Sequence, residues 1–542
     1  MTDAVVIGAG PNGLVAANLL ADAGWRVVCL EANDSPGGAV RSAEVTAPGF
    51  VSDLFSAFYP LAFDSPALQP LRLHDHGLRW SHAPVVLAHP AADDGACAVL
   101  SRDLDETAAS LDRFRPGDGD AWRRLYGMWS ELGGDFVGAM FGPFPPARSA
   151  LRLARTLRLA GGVRFARFAL LPVRRLAEEE FGGAGGGLLL AGNAMHADIA
   201  PEAAGSGALG WLLSMLGQQV GFPVPVGGAG ALTDALVRRL VARGGELRCG
   251  TEVSEVLVRG GRAVGVRTAD GTDISARRAV LADVSAPSLY LELLDRDLLP
   301  TQLRADLRRF QWDNATVKVD WALRGPIPWR AEEARRAGTV HVADSMDDLT
   351  QYSADLSMGR VPASPFLLVG QMTTADPTRS PAGTESAWAY THVPQRVRSD
   401  ALGRLTGSWD DGETAEFVDR MEARMEQRAP GFRDLVIARH VQSPRRLEAG
   451  NANLRRGAVN AGTANLHQQL VFRPLPGLGR PETFVRDLYL ASASAHPGGG
   501  AHGATGANAA RAALAARRPV RRFATGAVRR AHVRIGSGGD PL

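Results

Sequence analysis

The chain has 542 residues, 45% of them hydrophobic and 22% charged, which suits a globular protein of two or three domains and excludes a disordered or fibrous chain. A formal net charge of +3 gives no global electrostatic case for nucleic acid, and three widely separated cysteines (Cys29, Cys97, Cys249) exclude a paired-cysteine zinc site or a dithiol redox centre. No apolar run approaches the ~20 residues of a membrane span, and the first strand begins too close to Met1 for a secretory signal, so a cytoplasmic location is expected.

Ala4-Val5-Val6-Ile7 reads as a short buried strand. The loop Gly8-Ala9-Gly10-Pro11-Asn12-Gly13 follows, then a helix over 14–23 that Gly24 ends. Residues 26–30 form a second strand finishing at Glu31, which completes a βαβ unit with parallel strands. Mixed helices and loops are predicted from 75 to 222, with the glycine cluster 183–187 as a flexible interruption. A second α/β signature opens at Pro225-Val226-Gly227-Gly228-Ala229-Gly230 and continues as a helix over 232–242 and a strand over 246–248. The hairpin 253–259 with 263–268 turns at Gly260-Gly261, and 279–282 returns as a buried strand. Strands and amphipathic helices alternate from 291 to 476. The last strand is 488–491, followed by a glycine-rich turn and a helix over 503–516.

The loop at Gly8, Gly10 and Gly13 lies between a strand and a helix, the context a dinucleotide site requires. Gly8 permits the tight turn, Gly10 lets a pyrophosphate approach the backbone, and Gly13 allows close packing of helix on strand. Pro11 and Asn12 open the helix, whose N-terminal amides attract the diphosphate. Glu31 is placed to accept hydrogen bonds from the adenosine ribose.

Beyond Glu31 and Ala32 the chain reads Pro36-Gly37-Gly38-Ala39-Val40-Arg41, and near its end Ala495-His496-Pro497-Gly498-Gly499-Gly500-Ala501-His502-Gly503-Ala504. Together with the first loop these segments resemble the fingerprint of amine-oxidase and phytoene-desaturase flavoproteins. The likeness is greatest to phytoene-desaturase-like and carotene-isomerase-like oxidoreductases, including relatives labelled pyridine nucleotide-disulfide oxidoreductase domain proteins. The resemblance implies FAD, with Gly37, Gly38, Ala39 and Arg41 along the diphosphate and a backbone group near Val253 at the adenine. It also implies that Gly498, Gly499, Gly500, His502, Gly503 and Ala504 pass the isoalloxazine ring. The fold it implies is α/β: a Rossmann-type FAD-binding domain in three pieces (1–75, 225–290, 480–518), interleaved with an α+β substrate domain (76–224, 291–479) and followed by a basic flexible tail (519–542). No CxxxxC dithiol and no second dinucleotide loop are present in the sequence, so the expected electron acceptor is oxygen, a quinone or another carrier rather than a nicotinamide.

Flavin takes hydride directly from a C–H bond, so the protein must place the substrate and accept a proton. His496 and His502 are the candidate acid–base or flavin-contacting residues, the alternative being that each bonds only backbone or phosphate. His196, Tyr390 and His392 are candidate walls of an apolar substrate pocket. The stripe Trp211, Met215, Gln218 and Gln219 reads as core. No metal is expected. Three functions stay open: oxidation or desaturation of an apolar or amphiphilic substrate, redox-neutral double-bond isomerisation with reduced flavin, and a non-catalytic flavin-bound regulator. Residues 148–175 hold eight arginines and no acid, with Leu151, Leu153, Leu157 and Leu159 interleaved among them. This reads either as an interfacial helix making peripheral membrane contact or as a solvated face over a core stripe.

Overall fold

A strand buried on both faces must be apolar throughout, and Ala4–Ile7 meets that demand at the centre of a five-stranded parallel sheet. Ala4 sits opposite Val27 of the strand Val27–Leu30 on one side and Ala279 of Ala279–Ala282 on the other. Glu246–Arg248 and Leu488–Leu490 complete the edges. The structure, a computed structural model, describes residues 2–92 and 96–517, so the basic tail expected over 519–542 lies outside the described residues.

Three helices cover one face of this sheet. Pro11–Asp22 begins three residues before its predicted start, because proline suits the first helical position, where its missing amide costs nothing. Gly230–Ala242 and Ala504–Ala515 pack against it. A Cβ on Gly506 would lie 1.8 Å from the Asn12 carbonyl oxygen, so the first and last helices touch backbone to backbone.

The second sheet has seven strands in the order Val436–Gln442, Ala315–Leu323, Glu385–Val393, Leu367–Gln371, Ala337–Val342, Val85–Pro90 and Cys97–Leu100. Every pairing is antiparallel except that between Ala337–Val342 and Val85–Pro90. The helices Ala184–Met195 and Ser206–Val220 share a hydrophobic core with one of its faces. A Rossmann-type domain is thus interleaved with an α+β domain. Trp211, Met215 and Gln218 are buried core, with Gln218 accepting from Trp122 Nε1 at 2.9 Å, whereas Gln219 is exposed and accepts from Trp129 Nε1 at 2.6 Å.

The glycine cluster 183–187 is not a flexible interruption. It opens the helix Ala184–Met195, and its glycines are contact surfaces. A Cβ on Gly185 would lie 2.6 Å from the Phe114 ring, on Gly186 2.5 Å from Phe181, and on Gly187 2.9 Å from the Ala177 methyl. Glycine here trades helix propensity for close packing of neighbouring elements.

Asp53 joins the two domains. Fully buried on the short strand Ser52–Asp53, its Oδ1 accepts from the Ala229 amide and the Ser42 hydroxyl, both at 2.8 Å, and lies 2.7 Å from the fully buried Arg379 guanidinium. Asp53→Ala is expected to lower unfolding free energy by about 3–5 kcal/mol, because Arg379 is left buried without its counter-charge; a denaturant titration reads the loss.

Candidate functional site

The carboxyl ends of the parallel strands face the second sheet across a cavity of about 420 Å³. In open parallel sheets this is where ligands bind. The first loop contributes Gly8, Gly10, Pro11 and Asn12 to its wall, the end of the second strand Glu31 and Ala32, and the next turn Gly38 and Ala39. Val253 and Gly500 join them from segments remote in sequence.

Glu31 is fixed for its expected task. Its Oε2 accepts from the Ala9 amide at 2.8 Å and its Oε1 from the Asn33 amide at 3.0 Å and Asn33 Nδ2 at 2.9 Å, which leaves a lone pair on Oε2 for a ribose hydroxyl. Three of the residues predicted to touch the cofactor stand just behind the wall. Gly13 donates its amide to Asp283 Oδ2 at 2.8 Å, and Gly37 donates to the Ala9 carbonyl at 2.8 Å. Arg41 donates Nε to Gly38 O at 3.0 Å and Nη2 to Gly450 O at 2.7 Å, with its guanidinium over the Phe55 ring.

The C-terminal glycine turn is shaped by protein neighbours. A Cβ on Gly498 would meet the Arg473 guanidinium at 3.2 Å, and one on Gly499 would meet Asn460 Oδ1 at 2.6 Å. Gly503, at φ +67, approaches Val15, and Ala504 begins the last helix; neither lines the cavity, whereas Gly500 and Ala501 do. Arg473 is buried with no carboxylate in salt-bridge contact among the described residues. It donates to the carbonyls of Asn460 (2.9 Å), Thr463 (2.9 Å) and Ala493 (2.7 Å), and so ties together the loops that flank the turn. Asp313 completes the brace by accepting from the amides of Val459 (2.7 Å), Asn460 (2.8 Å) and Gly462 (3.1 Å).

His496 and His502 are both buried and neither lines the cavity. His502 Nδ1 accepts from the Ala504 amide at 3.0 Å and so caps the last helix. His496 packs edge-on against Phe144. Burial pushes both down to about 4, so they are neutral at physiological pH. Neither ring reaches the cavity wall, and one nitrogen of His502 serves the last helix.

The second sheet supplies the remaining wall. Tyr390 and His196 line the cavity, with Thr316 and Lys318 from the strand Ala315–Leu323. His196 Nε2 is 2.8 Å from His341 Nε2, and a Cβ on Gly192 would come 2.0 Å from the His341 ring, so that glycine makes room for the pair. His392 stands behind the wall, its Nδ1 3.2 Å from the Thr316 hydroxyl. Sequence reasoning missed Lys318. It is the chain's single lysine, 3% exposed, with Nζ 2.5 Å from Asp320 Oδ1. In a chain whose other basic side chains are all arginine, one lysine inside a strand was the available signal.

A dinucleotide fits these residues. The amides of Gly10 and Asn12 have no partner among the described residues, and Asn460 lines the cavity with Nδ2 unpartnered. No cluster among the described residues could hold a metal ion.

Comparison with known proteins agrees with this geometry. The model of the NAD(P)-binding Rossmann-like domain matches residues 6–87, and that of the flavin containing amine oxidoreductases matches 98–386, more than half of the chain. The chain is 27% identical to pyridine nucleotide-disulfide oxidoreductase domain-containing protein 2 of Rattus norvegicus, over 92% of this chain and 90% of that protein. It is 25% identical to a neurosporene-forming phytoene desaturase of Rhodobacter capsulatus, over 92% and 91%. Among solved structures, an oxidoreductase from Methanosarcina mazei shares the fold, with a TM-score of 0.60 at 16% identity, covering 94% of this chain and 99% of that one.

The buried histidines set a pH dependence. Burial pushes His89, His496 and His502 down to about 4 and His196 to about 3, whereas in the unfolded chain each titrates near ~6.5. The stability they contribute is complete above pH ~6.5 and is lost as pH falls from there toward ~4, with a limiting slope of about 1.4 kcal/mol per pH unit for each histidine. Denaturant unfolding across this range should show that fall, and His89→Leu should reduce the slope by about one proton.

Proposed function

The chain belongs to the flavin-containing amine oxidoreductase family, with FAD as its cofactor, and from that premise we propose that it oxidises or desaturates an apolar or amphiphilic organic substrate. One observation carries the reading: a single cavity is lined both by the dinucleotide loop with Glu31 and by Phe55, Thr316, Lys318, Tyr390 and His196. When bound, the flavin supplies the hydride acceptor. The chain supplies the rest. Phe55, Leu447 and Leu454 give an apolar surface for the substrate body, and the Tyr390 hydroxyl, which has no partner among the described residues, can orient a polar group. Lys318 has three N–H donors; one is held by Asp320, leaving two for the substrate or for a water beside it. Burial pushes Asp320 up to about 6, with Lys318 acting against the rise, so the Asp320 carboxyl can take up or release a proton near neutrality. An apolar substrate is in keeping with the similarity to a phytoene desaturase, and oxygen, a quinone or another carrier would take the electrons onward.

Anaerobic addition of the right apolar or amphiphilic compound should bleach the visible band of the oxidised flavin. Lys318→Met should keep FAD and lower the bleaching rate about 10²-fold, the range of a lost acid–base group. A bound flavin that no member of a broad polyene, terpenoid and amine panel bleaches would refute the reading.

We also propose that the segment Ala147–Leu170 makes peripheral membrane contact. Leu159 is 87% exposed and Val163 67%, while Arg148, Arg155 and Arg164 carry no ion pair among the described residues; Arg152 pairs with Asp135 and Arg167 with Glu179. The leucines therefore do not all cover a core stripe; the helix is kinked at Arg158 (φ 54°), and beyond the kink Leu159, Val163 and Arg164 project together, as an interfacial segment requires. No helix among the described residues is long and apolar enough to cross a membrane. The protein should co-sediment with phosphatidylglycerol vesicles in a salt-sensitive manner. Leu159→Glu with Val163→Glu should abolish this without loss of FAD.

A further inference from the structure

The dinucleotide loop is wrapped around a carboxyl group that the reading above does not use. Asp283 directly follows the strand Ala279–Ala282, is 6% exposed and lines the cavity. Its Oδ2 accepts the Gly13 amide at 2.8 Å, and Asn453 Nδ2 donates to its backbone carbonyl at 3.1 Å. All three signature glycines are fitted to it. A Cβ on Gly10 would stand 2.7 Å from Oδ2, one on Gly13 3.1 Å from the same oxygen, and one on Gly8 2.8 Å from the Asp283 carbonyl oxygen. Asp283 therefore already occupies an amide of the helix turn that would otherwise face an anion.

The surroundings make this position unusual for an acid. The cavity wall holds the carboxyls of Glu31, Glu252, Asp283 and Glu292, the last paired with Arg455 at 3.5 Å, and one cation, Lys318, which is paired with Asp320. Arg41 is engaged with two carbonyls. The groups facing Asp283 are the N-terminus of the helix Pro11–Asp22, the Glu31 carboxylate and the Cys29 thiol, which donates to Gly8 O at 3.4 Å; no cation faces it among the described residues. A diphosphate brings two negative charges to this turn. Neutral backbone donors can accommodate them, but an ionised carboxylate beside them repels them.

We propose that Asp283 is a cofactor-binding acid: protonated, it keeps accepting from Gly13 while giving its own O–H to a diphosphate oxygen of FAD, and ionised, it expels the cofactor. Burial pushes the group up to about 7, the Gly13 amide opposing and Glu31 adding to the rise, so the free protein changes form near neutrality. The diphosphate favours the protonated acid further, and FAD binding above that pH takes up one proton. The inference concerns how the cofactor is held and is independent of the substrate.

Dilution of the holoprotein with fluorescence detection of released FAD gives the dissociation constant as a function of pH. The wild-type value should rise about tenfold per pH unit above ~7, the slope of one linked proton. Asp283→Asn, whose amide donates at every pH and whose carbonyl still accepts from Gly13, should give a nearly flat profile and hold FAD more tightly than wild type in alkali. Parallel profiles for the two proteins, or weaker binding by the variant at every pH, would overturn the proposal. Should the variant fail to fold, calorimetric titration of the FAD-stripped wild type in two buffers of different ionisation enthalpy counts the proton directly. Uptake close to one supports the proposal, and no uptake overturns it.

Discussion

Backbone must meet backbone at three places for this molecule to exist. A side chain on Gly13 would lie 2.1 Å from the Gly8 carbonyl, one on Gly506 1.8 Å from the Asn12 carbonyl, and one on Gly8 2.8 Å from the Asp283 carbonyl. The obstruction in each case is main chain, which cannot swing aside as a flexible side chain can. These contacts gather a loop near residue 10, the end of a strand near 283 and a helix near 506 at one point. The C-terminal ends of the parallel strands, and hence the dinucleotide wall, are where they are because those contacts are free of Cβ atoms.

What was legible in the sequence follows from this. A glycine loop between an apolar strand and a helix is a local pattern, and the first βαβ unit, the strand 279–282 and the last helix were readable from runs of a dozen residues. The glycines at 183–187 and 498–499 carry the same local signal, but their reason for being glycine lies elsewhere in the chain: Phe114, Phe181, Arg473 and Asn460 occupy the space a side chain would need. A single sequence does not say whether a glycine makes room for a ligand, a turn or a neighbouring ring. His496 and His502 flank the last glycine turn in sequence, and in the fold His502 bonds the last helix while His496 packs on Phe144.

The residues that were missed share a property. Asp283, Asp313, Lys318 and Arg473 are single charged side chains in apolar or turn-rich segments, with no motif around them. Their meaning comes from tertiary partners: an amide 270 positions away for Asp283, and the carbonyls of Asn460, Gly462, Thr463 and Ala493 for Arg473. A buried charge has to be hydrogen-bonded to persist, so each is a fixed point around which loops are ordered. The brace of Asp313 and Arg473 holds 459–463 against the glycine turn without either group reaching the cavity wall.

The identity of the cation in the cavity follows from the same accounting of donors. Arginine carries five N–H donors in a rigid plane, whereas lysine carries three on a compact ammonium. On the strand Ala315–Leu323 every residue is buried, and the acceptor within reach is one carboxylate, Asp320. An arginine there would leave several donors unmet in a dry wall beside Trp388, each carrying a desolvation cost. A lysine meets one acceptor and turns its remaining donors to the cavity. Sixty of the chain's residues are lysine or arginine, and arginine serves at all of them but this one.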